Sequence, residues 1–237
     1  MASNVPFYLA LDGCNLQEAI NLTRKLSDSV AGVKIHALWD AEGPQVVGLL
    51  RSVGAREVWA DLKLKDTPRT VQDRAERISE SGADMLTVHA DGDIEMMQAA
   101  LDGAQGKMEI IAITALTSLS EAQIQALYGC GREAAVLRLA RNARLAGINS
   151  LVCSGKEVLM LRHRPELEGM RLIVPGTRSI GVAALGQKNV VTPGQAALSG
   201  ASALVLGSQI RHSGDPVKAV QDVVREIEHA LVKNGRS

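Results

Sequence analysis

Short apolar runs alternate with amphipathic helical stretches along the whole chain. Phe7–Leu11 is the first run and ends at Asp12; Leu16, Ala19, Ile20, Thr23 and Leu26 then follow at helical spacing. Gly32–His36, Glu57–Leu62, Met85–His89, Met108–Ala115, Ser150–Cys153, Leu172–Val174 and Ala203–Leu206 predict seven further strands. Within Met108–Ala115 the run Ile110–Ile113 is continuously apolar, as a strand covered on both faces must be. Between these runs the pattern predicts helices near residues 44–53, over Thr67–Ser81, from a cap at Asp93 to Leu101, and over Ser120–Leu127 and Arg132–Ala146. Lys156–Arg162, Thr192–Ser199 and Pro216–Val232 complete the set, the last with a stripe of Val217, Val220, Val224, Ile227 and Leu231.

Eight strand–helix units with short connections call for a parallel sheet covered by helices, and in a chain of 237 residues they favour a closed (β/α)8 TIM barrel. No linker or low-complexity segment breaks the alternation, so residues 1–237 are expected to form a single barrel domain. An open doubly wound sheet would carry a phosphate-binding Gly-x-Gly-x-x-Gly after its first strand, and Leu11-Asp12-Gly13-Cys14 is not that motif.

Composition narrows the function classes. Aromatic residues make up only 2%, so the core must be built from Leu, Ile, Val, Ala and Met. Lys plus Arg and Asp plus Glu both number 26, and a net-neutral chain argues against general nucleic-acid affinity. No apolar run approaches the roughly 20 residues of a membrane helix. The first residues lack the basic and apolar regions of a signal peptide. Cys14, Cys130 and Cys153 are odd in number and widely spaced, which fits reduced thiols in a cytoplasmic protein and gives no zinc site.

Active sites of such barrels lie at the C-terminal ends of the strands. The polar residues expected there are Asp12, Lys34, Asp61, Lys63, Asp66, His89, Asp91, Thr114, Thr117, Cys153 and Ser154, followed by Pro175-Gly176-Thr177-Arg178 and Gly207-Ser208. Asp61 and Lys63 are two apart, which places them on one face of an extended segment. Most of the charges converge on the first three strands. Lysines and carboxylates sharing a water-poor mouth hold one another ionised. A lysine held protonated suits proton donation to a carbanion; Schiff-base chemistry needs a neutral amine. The Gly-containing loops after strands seven and eight suit a phosphate, and the run from Gly181 to Gly186 suits a lid.

Asp61-Leu62-Lys63-Leu64-Lys65-Asp66 resembles the Asp-x-Lys-x-x-Asp signature of the orotidine 5'-phosphate decarboxylase family. The likeness extends to Ala10-Leu11-Asp12, Val33-Lys34-Ile35, Thr87-Val88-His89-Ala90, Ile113–Ser118, Val174–Arg178, Gln187, Val191-Thr192-Pro193 and Gly207, in order along nearly the whole chain. The resemblance implies cofactor-independent decarboxylation of orotidine 5'-phosphate in de novo pyrimidine synthesis, without metal, by a homodimer with shared sites. It implies that Lys63 protonates C6 of the pyrimidine, that Asp61 lies against the substrate carboxylate, and that Lys34 and Asp66 complete a charged tetrad, Asp66 reaching in from the partner subunit. It implies ribose contacts from Asp12 and Lys34, Thr70 near the shared site, and Thr117 at the pyrimidine edge. Gln187 and the amides of Gly207 and Ser208 would hold the phosphate, with Arg178 ordering the loop. The chain departs from the family at the phosphate end: Ser208 stands where an Arg is usual, and Gly186 where an Asp is usual. His36 replaces a common Gly, and Lys65 is a third lysine. Two other readings stay open: a metal-dependent keto-sugar-phosphate decarboxylase with the same motif, and a catalytically altered paralogue binding another nucleotide or nucleoside.

Overall fold

Eight parallel strands pair in sequence order, and the first pairs with the last. The structure, a computed structural model, describes residues 5–181 and 191–235. The strands are β1 (Phe7–Ala10), β2 (Gly32–Ile35), β3 (Val58–Leu64), β4 (Met85–His89), β5 (Glu109–Ile113), β6 (Ser150–Val152), β7 (Arg171–Pro175) and β8 (Ala203–Leu206). The helices are α1 (Leu16–Leu26), α2 (Ala37–Glu42), α3 (Gln45–Ser52), α4 (Pro68–Glu80), α5 (Ile94–Ala104), α6 (Glu121–Tyr128), α7 (Arg132–Ala146), α8 (Val158–Arg162), α9 (Pro193–Leu198), α10 (Ser208–Arg211) and α11 (Pro216–Lys233). This is a closed (β/α)8 TIM barrel. Among the described residues, no helix is long and apolar enough to cross a membrane.

Local chemistry starts the helices where the pattern predicts. Asn15 with Glu18, Ser120 with Gln123, and Thr192 with Gln195 form reciprocal capping boxes on α1, α6 and α9. Asp215 accepts from the amides of Val217 and Lys218, and Pro216 opens α11. Asp93 does sit at the start of α5, but at φ 75° its side chain makes no capping bond. The short α2 was not foreseen, because one and a half turns leave no apolar period to read. Gly103 explains the close packing of α5 on α4: a Cβ there would lie 2.3 Å from the Gln72 carbonyl oxygen.

Side chains alternate between two cores. Leu9, Val33, Val58, Ala60, Leu86, Ala112, Leu151, Leu172 and Leu204 point outward, beneath the helices. Tyr8, Ala10, Trp59, Met85, Ile111, Ile173, Ala203 and Val205 fill the barrel. Tyr8 and Trp59 meet edge to face at 5.6 Å. At the N-terminal end Tyr8 donates to Glu57 at 2.7 Å and accepts from Arg171 at 2.7 Å; Arg171 also pairs with Glu109 at 2.6 Å. Burial and the hydrogen bond to Glu57 push the Tyr8 phenol up to about 12. The lower barrel is thus plugged by side chains, and a cavity opens at its upper end.

Candidate active site

The period of two that puts Trp59 inside the barrel also puts Asp61 and Lys63 above it. On β1 the same rule leads from Ala10 to Asp12, and Lys34 pairs in register with both Ala10 and Trp59. These side chains line one cavity of about 300 Å³ at the C-terminal mouth, with Thr117 from the loop after β5, Gly176 and Arg178 after β7, and Gly207, Ser208 and Arg211 after β8. That is a volume at the lower end of the range for small-molecule sites.

Charges alternate along one wall. The Lys34 ammonium donates to Asp12 at 2.9 and 3.1 Å and to Asp61 Oδ2 at 2.8 Å. Lys63 Nζ donates to the same Asp61 oxygen at 2.7 Å. Burial works against ionising either Lys34 or Asp61. Burial is the largest single effect on each, but the combined charges and hydrogen bonds of the series outweigh it, so Lys34 is held above the usual lysine value and Asp61 below the usual carboxylate value. Asp61 is a fixed negative charge between two cations, and Lys63, the more exposed cation, faces the cavity.

A break in the sheet makes this geometry. Ala60 pairs with Leu86 and Leu64 with Val88, so three β3 residues lie opposite Thr87 alone. Lys63 takes φ 51°, a left-handed conformation unusual for lysine. Thr87 fills the gap: its hydroxyl donates to Asp61 Oδ1 at 2.8 Å and accepts from the Lys63 amide at 3.0 Å. His36 Nδ1 lies 2.8 Å from the Asp61 carbonyl. The sequence reading missed Thr87, which resembles any β-branched residue within a buried strand.

The other expected residues fall in different places. Asp66 is exposed and accepts from the Thr67 amide at 2.6 Å. The Thr70 hydroxyl meets that of Thr67 at 2.9 Å and lines a separate surface hollow with Trp39, Asp73 and Arg77. Neither lines the mouth cavity of its own chain. Lys65 pairs with Asp91 at 2.9 Å, outside the cavity lining. Burial, more than the nearby lysines, lowers the pKa of His89. Thr114 is buried and donates to the Val152 carbonyl at 3.0 Å. Gln187 and all of the expected lid but Gly181 lie outside the described residues. At the far end Arg178 donates to Ser208 Oγ at 2.8 Å and to the Thr177 carbonyl at 2.7 Å. Arg211, which no motif marked, lies against the turn at Gly13, with Nη1 3.9 Å from Cys14 Sγ.

A TIM barrel with an alternating lysine–carboxylate chain at its strand C-termini defines a class: α/β-barrel proteins whose mouth is built to bind and act electrostatically on a small anion. Comparison with known proteins narrows the class. Residues 6–223 match the model of the "Orotidine 5'-phosphate decarboxylase / HUMPS family", and the chain belongs to that family. It is 40% identical over 216 residues to the orotidine 5'-phosphate decarboxylase of Anaeromyxobacter dehalogenans, covering 90% of this chain and 94% of that one. It is 38% identical over 191 residues to the enzyme of the same name from Streptococcus pneumoniae, covering 80% and 81%. The crystal structure of orotidine 5'-phosphate decarboxylase from Lactobacillus acidophilus matches with a TM-score of 0.77 at 28% identity, over 94% of this chain and 98% of that one.

Proposed function

We propose that this chain decarboxylates orotidine 5'-phosphate to uridine 5'-phosphate, as a single-domain barrel in the cytoplasm. The observation that carries this reading is the unbroken series Asp12–Lys34–Asp61–Lys63 at the mouth. Loss of carbon dioxide breaks the bond between C6 and its carboxyl carbon and leaves the electron pair on C6. The Lys63 ammonium stabilises that pair and donates a proton to it; the neutral amine then takes a proton back from water. Asp61 stays ionised because two lysines hold it, so its charge opposes the substrate carboxylate before the reaction and not after carbon dioxide has left. Every charge involved is in place beforehand, which is the form of catalysis open to a site that stabilises a carbanion electrostatically.

In this reading Asp12 and Lys34 bind the ribose and Thr117 the pyrimidine edge. Gln187 and the amides of Gly207 and Ser208 contact the phosphate, and Arg178 orders their loop. Asp66 and Thr70 serve the neighbouring site of a homodimer, which accords with their facing away from their own cavity.

The test is turnover of orotidine 5'-phosphate by the purified chain in excess chelator, followed by loss of substrate absorbance and appearance of uridine 5'-phosphate. The reading expects full activity without added metal. Dependence on magnesium with a keto-sugar phosphate, or no turnover alongside tight binding of an unphosphorylated nucleoside, would overturn it.

A further inference from the structure

Two guanidinium groups stand at the end of the cavity opposite Lys63, and among the described residues neither has a counter-ion. Arg178 leaves the loop after β7 and is only 8% exposed. Arg211 closes α10, three residues beyond Ser208, and lines the same cavity. Around them the ends of β7 and β8 contribute Pro175, Gly176, Val205, Gly207 and Ser208, none of them charged. Among the described residues, no carboxylate lies within ion-pairing distance of either arginine; the salt bridges of this cavity all belong to Lys34 and Lys63. Residues 182–190, outside the described set, contain no Asp or Glu.

Their hydrogen-bonding capacity is only partly used. Arg178 gives Nη1 to the Thr177 carbonyl and Nη2 to Ser208 Oγ, and its Nε is buried without a partner. Arg211 Nε is likewise buried and unpartnered, and among the described residues its Nη1 donates to the weak acceptor Cys14 Sγ. A buried cation is costly without an anion, and the other two buried cations among the described residues are paired: Lys34 with two carboxylates and Arg132 with Glu121. Arg178 is the buried cation without such a partner, and it sits with the half-buried Arg211 at one end of a ligand cavity whose other end pairs every charge.

We propose that Arg211, with Arg178, binds the phosphoryl group of the substrate, while Ser208 serves as the acceptor that aims Arg178. This rests on the reading above and moves the charged phosphate contact away from position 208. A guanidinium one helical turn along from Ser208 places its five donors at the same end of the cavity that a side chain at 208 would reach. A dianion between two guanidiniums would receive charge-assisted, paired hydrogen bonds that a serine hydroxyl does not supply.

The experiment is calorimetric binding of uridine 5'-phosphate and of uridine to the native chain, Arg211→Ala and Arg211→Lys. The expected result for Arg211→Ala is a rise of about 100-fold in Kd for the nucleotide with less than a twofold change for uridine, the size of losing a bidentate charged contact. Arg211→Lys should fall between, since an ammonium keeps the charge and loses the fork. Unaltered uridine binding also shows that the variant pocket is intact. Nucleotide affinity within twofold of native in Arg211→Ala, or equal losses for nucleotide and nucleoside, would overturn the assignment and leave the decarboxylase reading standing. A native chain that binds neither molecule would overturn both.

Discussion

At the Lys63 end of the cavity every charged group meets an opposite charge within about 3 Å; at the Arg178 end, among the described residues, neither guanidinium meets one. Both ends carry cations on loops and strand ends of the same barrel and line the same cavity. The difference is one of purpose. Groups that act on a charge created during reaction must be fixed beforehand, and pairing fixes them: Asp61 is held between Lys34 and Lys63 and braced by Thr87. Groups that bind a permanent anion gain by waiting unpaired, because the ligand then supplies the missing partner and its binding energy is not spent on displacing one. The paired end is therefore assigned to chemistry and the unpaired end to affinity.

Substitutions at each end should break this comparison in different currencies, affinity at Arg211 and rate near Lys63. After the Arg211→Ala effect on nucleotide affinity, the next in size is Thr87→Val. Valine keeps the volume and removes both the donor to the buried Asp61 and the acceptor for the half-buried Lys63 amide. Chemical denaturation should show a loss of about 2 kcal/mol, and kcat should fall roughly tenfold with KM little changed. A change in KM alone would place Thr87 on the binding side. The smallest effect is expected for Ser208→Ala, which removes the acceptor for Arg178 and no charge. KM should rise about threefold at constant kcat, in line with one neutral partner to a charged donor. A loss larger than that of Arg211→Ala would make Ser208 the principal contact and reverse the ranking.

Much of this molecule was readable before its structure. The barrel followed from continuous apolar strands and regular helical stripes, since both periods are imposed by burial. The Asp61–Lys63 cluster was readable because its members are neighbours on one strand, where spacing alone fixes the face they share. Lys34 and Asp12 joined it through the barrel rule that strand C-termini converge. Thr87 was hidden because its role depends on a bulge in the adjacent strand, and nothing in Val58–Leu64 announces two extra residues or a left-handed lysine. The placement of Arg211 was hidden because a four-residue helix has no apolar stripe from which its orientation can be read. Asp66 and Thr70 follow the motif but turn away from their own cavity, a direction set by the start of α4 and invisible in spacing.

The central claim is that Lys63 supplies the proton to C6, and steady-state turnover of orotidine 5'-phosphate by Lys63→Ala tests it most directly, with uridine 5'-phosphate affinity measured alongside. Removing a general acid that is also the cation nearest the carbanion should lower kcat by at least about 10⁴-fold, with nucleotide affinity kept within about tenfold because the arginine end is untouched. Turnover within tenfold of the native chain would contradict the account.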